Sequence, residues 1–173
     1  LNADIRTSEM KGHLLINAIK GKNDSLAELI FQLITPDDPK SKTINFQLND
    51  EGSLYDGMTP FHFAVLHGKL SVVDELIKRN ASIRHVSVHQ TSIFHLVCRL
   101  GRKEIFLKIM KYANELGYSP ATILNTPDKR GFTCVHEAAS NGKIGIIRYL
   151  STIEGVDFDA LTVTGRSASD LAF

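Results

Sequence analysis

Asp56-Gly57-Met58-Thr59-Pro60-Phe61-His62-Phe63-Ala64, running on to His67-Gly68, is the stretch that decides the fold. Thr59 belongs to the residue types that cap a helix by receiving an orphan backbone amide. Pro60 suits the first helical position, where a missing N–H costs nothing. Gly68 suits the left-handed residue that ends a short helix. Just downstream, Val72, Val73, Leu76 and Ile77 form one apolar stripe, with Asp74, Lys78 and Arg79 turned to solvent. Asn80 can end this second helix as Gly68 ends the first. The stretch therefore predicts two short helices back to back, entered through a tight turn at Gly57.

The same register returns three times. It reads Gln90-Thr91-Ser92-Ile93-Phe94-His95-Leu96-Val97, then Gly131-Phe132-Thr133-Cys134-Val135-His136-Glu137-Ala138, then Gly165-Arg166-Ser167-Ala168-Ser169-Asp170-Leu171-Ala172. His62, His95, His136 and Asp170 are spaced by 33, 41 and 34 residues. Six residues after each His stand Gly68, Gly101 and Gly142. Further slots hold Val72-Val73, Ile105-Phe106 and Ile146-Ile147, then Leu76, Ile109 and Leu150. Run backwards, the template puts Ile16 at the His slot, with Ala18, Leu26-Ala27 and Ile30 following and Lys22 in place of the Gly. One helix pair cannot bury such a stripe alone, so neighbouring pairs must stack into a continuous core.

This pattern resembles the ankyrin repeat, a unit of about 33 residues with a T-P-L-H-x-A core. The resemblance implies an all-α repeat solenoid of helix-turn-helix units joined by β-hairpin loops, with about four full units and a partial fifth. On that reading residues 1–173 are one domain, with units near 9–34, 54–84, 87–114, 128–158 and 162–173. The insertions fall near 35–53, where Pro36 and Pro39 stand among mixed charge, and near 112–127. After each insertion an extended stretch, Thr43-Ile44-Asn45-Phe46 and then Ile123-Leu124-Asn125, is expected to return to the hairpin register. Gly155 is expected to end the second helix of the fourth unit.

The composition is 43% hydrophobic and 23% charged, ordinary for a folded chain. Twenty Lys+Arg against 19 Asp+Glu leave a net charge of +1, which provides no field to draw the whole molecule onto nucleic acid or an anionic membrane. No apolar run reaches the roughly 18 residues of a membrane span. The opening Leu1-Asn2-Ala3-Asp4 lacks both an initiator Met and a signal segment, so the sequence reads as an internal piece of a longer protein. Two cysteines, Cys98 and Cys134, are too few for a disulfide framework, which points weakly to an intracellular and cytoplasmic setting.

Neither catalysis nor a metal is expected. His62, His95 and His136 occupy one slot of successive units, spaced about a helix diameter of 10 Å apart, whereas zinc ligands must converge within about 2.1 Å of one ion. The family uses this His structurally, and Thr59, Pro60, Gly68, Gly101, Thr133 and Gly142 with it. Cys134 and His136 lie two apart and do not face each other as a nucleophile and base would. There is no phosphate-binding Gly loop and no CxxC, so neither a cofactor nor a small-molecule substrate is expected. His67, His85 and His89 could gather near one hairpin, although solvated loop histidines are the commoner case.

The expected partner is another protein. In the family, hairpin tips and first helices line a concave docking face. Carried onto this chain, the variable positions are Tyr55, Asp56, Met58, Leu66 and His67 in the second unit. In the third they are Val88, His89, Thr91, Arg99 and Leu100, and in the fourth Lys129, Arg130, Phe132, Ser140 and Asn141. Exposed Tyr55, Met58, Leu66, Leu100 and Phe132 flanked by Arg99, Lys129 and Arg130 would have an anchor-and-rim character. The expected function is that of a protein-interaction module, a scaffold or adaptor. The alternative is the targeting domain of a larger enzyme, an ion channel or a secreted bacterial effector acting in a host cytosol.

Overall fold

The computed structural model describes residues 2–21, 23–33, 45–47, 52–53 and 55–172, the side chains of 2–9 excepted. The chain divides into two compact units, Leu1–Val88 and His89–Phe173. Among the described residues regular structure is helical, apart from isolated bridge positions at Val86 and Ser92.

The first unit holds α1 (Asn2–Lys20), α2 (Asp24–Leu33), α3 (Pro60–His67) and α4 (Leu70–Lys78). Helix α1 packs on both α2 and α3, and α3 packs on α4. Leu15, Ile16 and Ile19 from α1 meet a core that includes Phe61, Phe63, Val73 and Leu76, all essentially without solvent contact. Gly12 lies directly beneath Phe46, where any side chain would strike the ring.

The second unit holds α5 (Ile93–Leu100), α6 (Lys103–Glu115), α7 (Pro120–Asn125), α8 (Cys134–Ser140), α9 (Ile144–Leu150) and a closing 3-10 turn, Ser169–Leu171. Helix α5 packs broadly on α8, and each first helix packs on its own second helix, α6 or α9. Phe94, Leu96, Phe106, Ile109, Leu124 and Leu150 form the core, and the Phe106 and Tyr149 rings meet edge-on at 5.4 Å.

The repeat slots are structurally equivalent. Val72, Ile105 and Ile146 are buried, as are Leu76, Ile109 and Leu150. Gly68, Gly101 and Gly142 adopt φ of 69°, 70° and 63°. The next amide closes each turn, from Lys69 to the Ala64 carbonyl, Arg102 to Val97 and Lys143 to Ala138, at 2.9, 3.2 and 2.8 Å. This satisfies carbonyls that a short helix would otherwise leave open.

Four expectations change. Helix α1 starts at Asn2, earlier than the unit boundary near residue 9. Leu26 is exposed while Ala27 and Ile30 are buried, so only part of the backward template holds. Ile123-Leu124-Asn125 is helical: Ser119 and Pro120 start α7, and Leu124 is driven fully into the core. Finally, α9 ends at Leu150, and Gly155, at φ 81°, belongs to the turn beyond it. Lys22, Thr43, Ile44 and most of 35–53 lie outside the described residues.

Asn45 and Asn125 do play equivalent parts. Each Oδ1 accepts a backbone amide from the loop after a later helix, Ser82 at 2.8 Å and Asp157 at 2.9 Å. These bonds tie the inserted stretch back into register.

Candidate partner-binding surface

Two hairpin tips are built by a short polar side chain that folds back on its own backbone. Asp128 Oδ1 accepts the amides of Arg130 and Phe132 at 2.8 and 2.9 Å, and the Asp128 amide donates to the Phe132 carbonyl at 2.9 Å. Thr162 does the same in the following tip, accepting the Arg166 amide at 3.1 Å and donating its own to the Arg166 carbonyl at 2.9 Å. Asx and hydroxyl turns of this kind pin a loop that has no sheet to hold it.

The tips are joined backbone to backbone. Val88 N–H donates to the Asp56 carbonyl at 3.0 Å, Lys129 to His89 at 3.1 Å and Val163 to Arg130 at 3.1 Å. This close approach explains Gly131, whose φ is 78° and whose added Cβ would sit 2.7 Å from the Val163 nitrogen. Gly57 is in the same position against Val88, at 3.0 Å. Gln90 takes the equivalent left-handed conformation, φ 59°, without being glycine.

Below the tips stand the histidines. Nδ1 of His62, His95 and His136 each receives the amide of the helix-capping residue, Thr59, Ser92 or Thr133, at 3.2 Å. An atom that accepts an amide proton carries a lone pair, so the ring proton resides on Nε2. His95 Nε2 then donates to the Phe132 carbonyl at 2.9 Å and His136 Nε2 to the Arg166 carbonyl at 3.3 Å. Both nitrogens of His95 are thus engaged in the neutral form. Burial pushes its pKa below the usual histidine range, against the opposing pull of the Phe132 carbonyl and the Asp128 and Glu137 carboxylates.

Glu137, next to His136, collects the arginines of the face. Arg99 grips it with two bonds, Nε to Oε2 at 2.8 Å and Nη2 to Oε1 at 2.6 Å. Arg130 Nη2 reaches the same Oε1 at 2.6 Å, and Nε and Nη2 also hold Asp128 Oδ2 at 3.0 and 2.9 Å. The Arg130 guanidinium lies 4.0 Å from the centre of the Phe132 ring. Both carboxylates are buried, at 2% and 1% side-chain exposure, whereas Arg99 and Arg130 keep 34% and 54%. Helix α5, helix α8 and the tip between α7 and α8 therefore meet at one carboxylate.

Tyr55, Val88, His89, Lys129, Arg130, Ser140 and Asn141 are exposed, while Asp56, Leu66, His67, Arg99, Leu100 and Phe132 are half-buried. Met58 and Thr91 are buried, which corrects their expected exposure: the residue after the tip turns inward as the backbone descends to the helix cap. In the first unit Lys20 Nζ lies 5.7 Å from the Tyr55 ring and 5.6 Å from Phe63, and His67 stacks on Phe63 with ring centres 6.5 Å apart. Asn141 Nδ2 donates to the Glu137 carbonyl at 2.9 Å and finishes α8. Sequence reasoning passed over Asp128 and Glu137. The available signal was a charge at the slot where Phe63 and Leu96 stand, both buried.

Cys98 and Cys134 are buried and free of disulfide. Burial, reinforced by a hydrogen bond with Cys134, raises the Cys98 thiol well above its ordinary range, so it does not offer a thiolate. Among the described residues no group of three His, Cys, Asp or Glu side chains is placed to hold a metal ion. No described helix is long and apolar enough to cross a membrane.

A family model of the ankyrin repeat matches residues 56–85. Those residues are an ankyrin repeat. The chain is 33% identical over 76 residues to alpha-latrotoxin-Lg1a of Latrodectus geometricus, a match spanning 44% of this chain and 5% of that protein. It is 26% identical over 126 residues to the nuclear factor NF-kappa-B p105 subunit of Gallus gallus, covering 72% of this chain and 12% of that one. It is also 30% identical over 95 residues to the transient receptor potential cation channel subfamily A member 1 of Homo sapiens, covering 55% and 8%. The chain thus matches only small portions of much longer proteins. Ankyrin repeats are generally protein-interaction modules, and the fold is not a catalytic one.

Proposed function

We propose that this chain is a protein-recognition module that holds a partner on the ankyrin face formed by its hairpin tips and first helices. The observation that carries the reading is the Arg99–Glu137–Arg130–Phe132 assembly. Two cations and an aromatic ring are partly exposed yet fixed in place by buried carboxylates. Arginine and aromatic side chains dominate binding hot spots, and groups already held rigid lose little freedom when a partner docks. The near-neutral net charge favours protein over nucleic acid as the partner, as does the burial of the α5 and α6 aromatic rings, Phe94, Phe106 and Tyr112, where no base can stack on them. An intracellular setting belongs to the same proposal.

A second reading is favoured by the match lengths, which span only 5–12% of each relative: the chain serves as the targeting part of a larger protein. The two readings are compatible, since targeting would use the same face.

The test is affinity capture with the wild-type chain beside an Arg130→Ala, Phe132→Ala double variant, after circular dichroism has shown the variant folded. Partners retained by the wild type should be weakened by about 2 kcal/mol or more in titration of the double variant. Unchanged affinity for every captured protein removes this face from the proposal.

A further inference from the structure

The guanidinium groups of Arg99 and Arg130 each carry five N–H donors. The bonds to Glu137 and Asp128 engage Nε and Nη2 of each group, from the buried side. In both arginines the Nη1 edge is the one that these carboxylates do not take. The ring of Phe132 backs Arg130 at 4.0 Å, so this guanidinium is clamped in its plane and on its face. Arg130 spends both Nη2 protons on Asp128 and Glu137 and turns the two protons of Nη1 outward, while Arg99 spends one Nη2 proton and keeps the other beside its Nη1; held rigid, these N–H groups match the acceptors of a carboxylate.

The carboxylates that pull on Arg99 are Glu137 and Asp128. Lys129 is exposed beside Arg130, and the two acids that balance the arginines lie beneath them at 1–2% exposure. The exposed carboxylates of this unit stand elsewhere in the sequence: Glu104 and Glu115 on α6, Glu154, Asp157 and Asp159 after α9, and Asp170 in the closing turn. Within this cluster the exposed groups are thus the cations, Arg130 and Lys129 with Arg99 half-buried, and the acids lie behind the guanidinium planes.

We infer that the partner segment recognised here is acidic, placing an Asp or Glu carboxylate on the outer edge of Arg130 with Arg99 and Lys129 alongside. This rests on the ankyrin face being the docking face and adds the chemistry of what docks. The aromatic ring of Phe132, half-buried under Arg130, supplies an apolar contact for the residue next to the acid. Charge complementarity of this kind acts mainly on encounter and selectivity, so binding should weaken as salt rises.

The test is selection of short peptides from a random display library on the intact chain, followed by fluorescence titration of synthetic peptides. Selected sequences should be enriched in Asp and Glu. Replacing the acids of a selected peptide by Gln or Asn should weaken binding by about tenfold or more, as should Arg130→Gln in the protein. Arg130→Lys should recover only part of the loss, because a single ammonium cannot hold Asp128 and Glu137, lie flat on Phe132 and still donate outward. Selected peptides that depend on Phe132 but show no acidic bias would overturn this inference while leaving the docking face standing. Peptides indifferent to both Arg130→Gln and Phe132→Ala would remove both.

Discussion

His95 donates through Nε2 to the Phe132 carbonyl at 2.9 Å while its Nδ1 receives the Ser92 amide at 3.2 Å. One neutral imidazole thus starts its own helix and fastens the next tip, and a second proton would set two hydrogens against each other at Nδ1. The folded chain therefore holds a proton on this ring less readily than the unfolded chain does. As pH falls through the unfolded value of about 6.5, the unfolded state gains protons first and stability drops until the lower folded pKa is passed. We predict a melting temperature that declines between about pH 7 and 5, above the range where carboxylates titrate. A flat profile over that interval would contradict the assignment, and His95→Gln should make it shallower, leaving the share of His85, whose pKa burial also lowers.

Glu137 is the shared anion of two arginines. Breaking a fully buried pair from one side costs about 3–5 kcal/mol, but Arg99 and Arg130 retain solvent contact and water takes up part of the loss. Glu137→Ala should cost about 2 kcal/mol, and Glu137→Gln, which keeps acceptor and shape, about half that. Urea midpoints would measure both. Equal losses would mean that the charge, which both variants remove, decides this slot and that shape and the retained acceptor do not.

Gly131 and Gly165 have nearly the same φ, 78° and 74°, yet an added Cβ meets backbone at 2.7 Å in the first and nothing within 4 Å in the second. Gly165→Ala should cost roughly 1 kcal/mol for the left-handed conformation alone. Gly131→Ala should cost more than about 2 kcal/mol, because the tip-to-tip bond to Val163 must also give. Thermal melts of the pair check this, and equal shifts would refute the close-approach argument.

Met58→Ala, in a residue only 5% exposed, should act as a core truncation and lose about 2–5 kcal/mol. Leu124→Ala should fall in the same range, since Leu124 anchors α7 with no exposure. Partner affinity corrected for the unfolded fraction should not change in Met58→Ala. A folded-state affinity loss without a stability loss would return Met58 to the surface.

The helix pairs were legible because their signals are local: a capping Thr or Ser, Pro60, the apolar stripes and the terminal glycines. Side chains that act across repeats were less so. Glu137 reads as a solvent charge until α5 brings Arg99 to it. Asp128 reads as a turn residue although it is buried. Helix α7 has Ser119 and Pro120 as its start, but six residues are too few to show helical periodicity, and Ile123-Leu124 suggests extended backbone equally well. Met58 and Thr91 follow a family rule about variable positions that says nothing of which way each side chain faces. Gln90 obscured its own tip, since it adopts a glycine conformation that its residue type does not advertise.

The amide-to-carbonyl bonds joining successive tips involve no side chain at Val88, His89, Lys129 or Arg130. Val88 and Lys129 can therefore exchange chemistry without loosening the seam on which they are mounted, whereas Arg130 also holds the buried Asp128 and Glu137. The alignment of the loops is written in the main chain, and their specificity is written separately in what projects from it. A lineage could retarget such a surface one substitution at a time, keeping a foldable protein at every step.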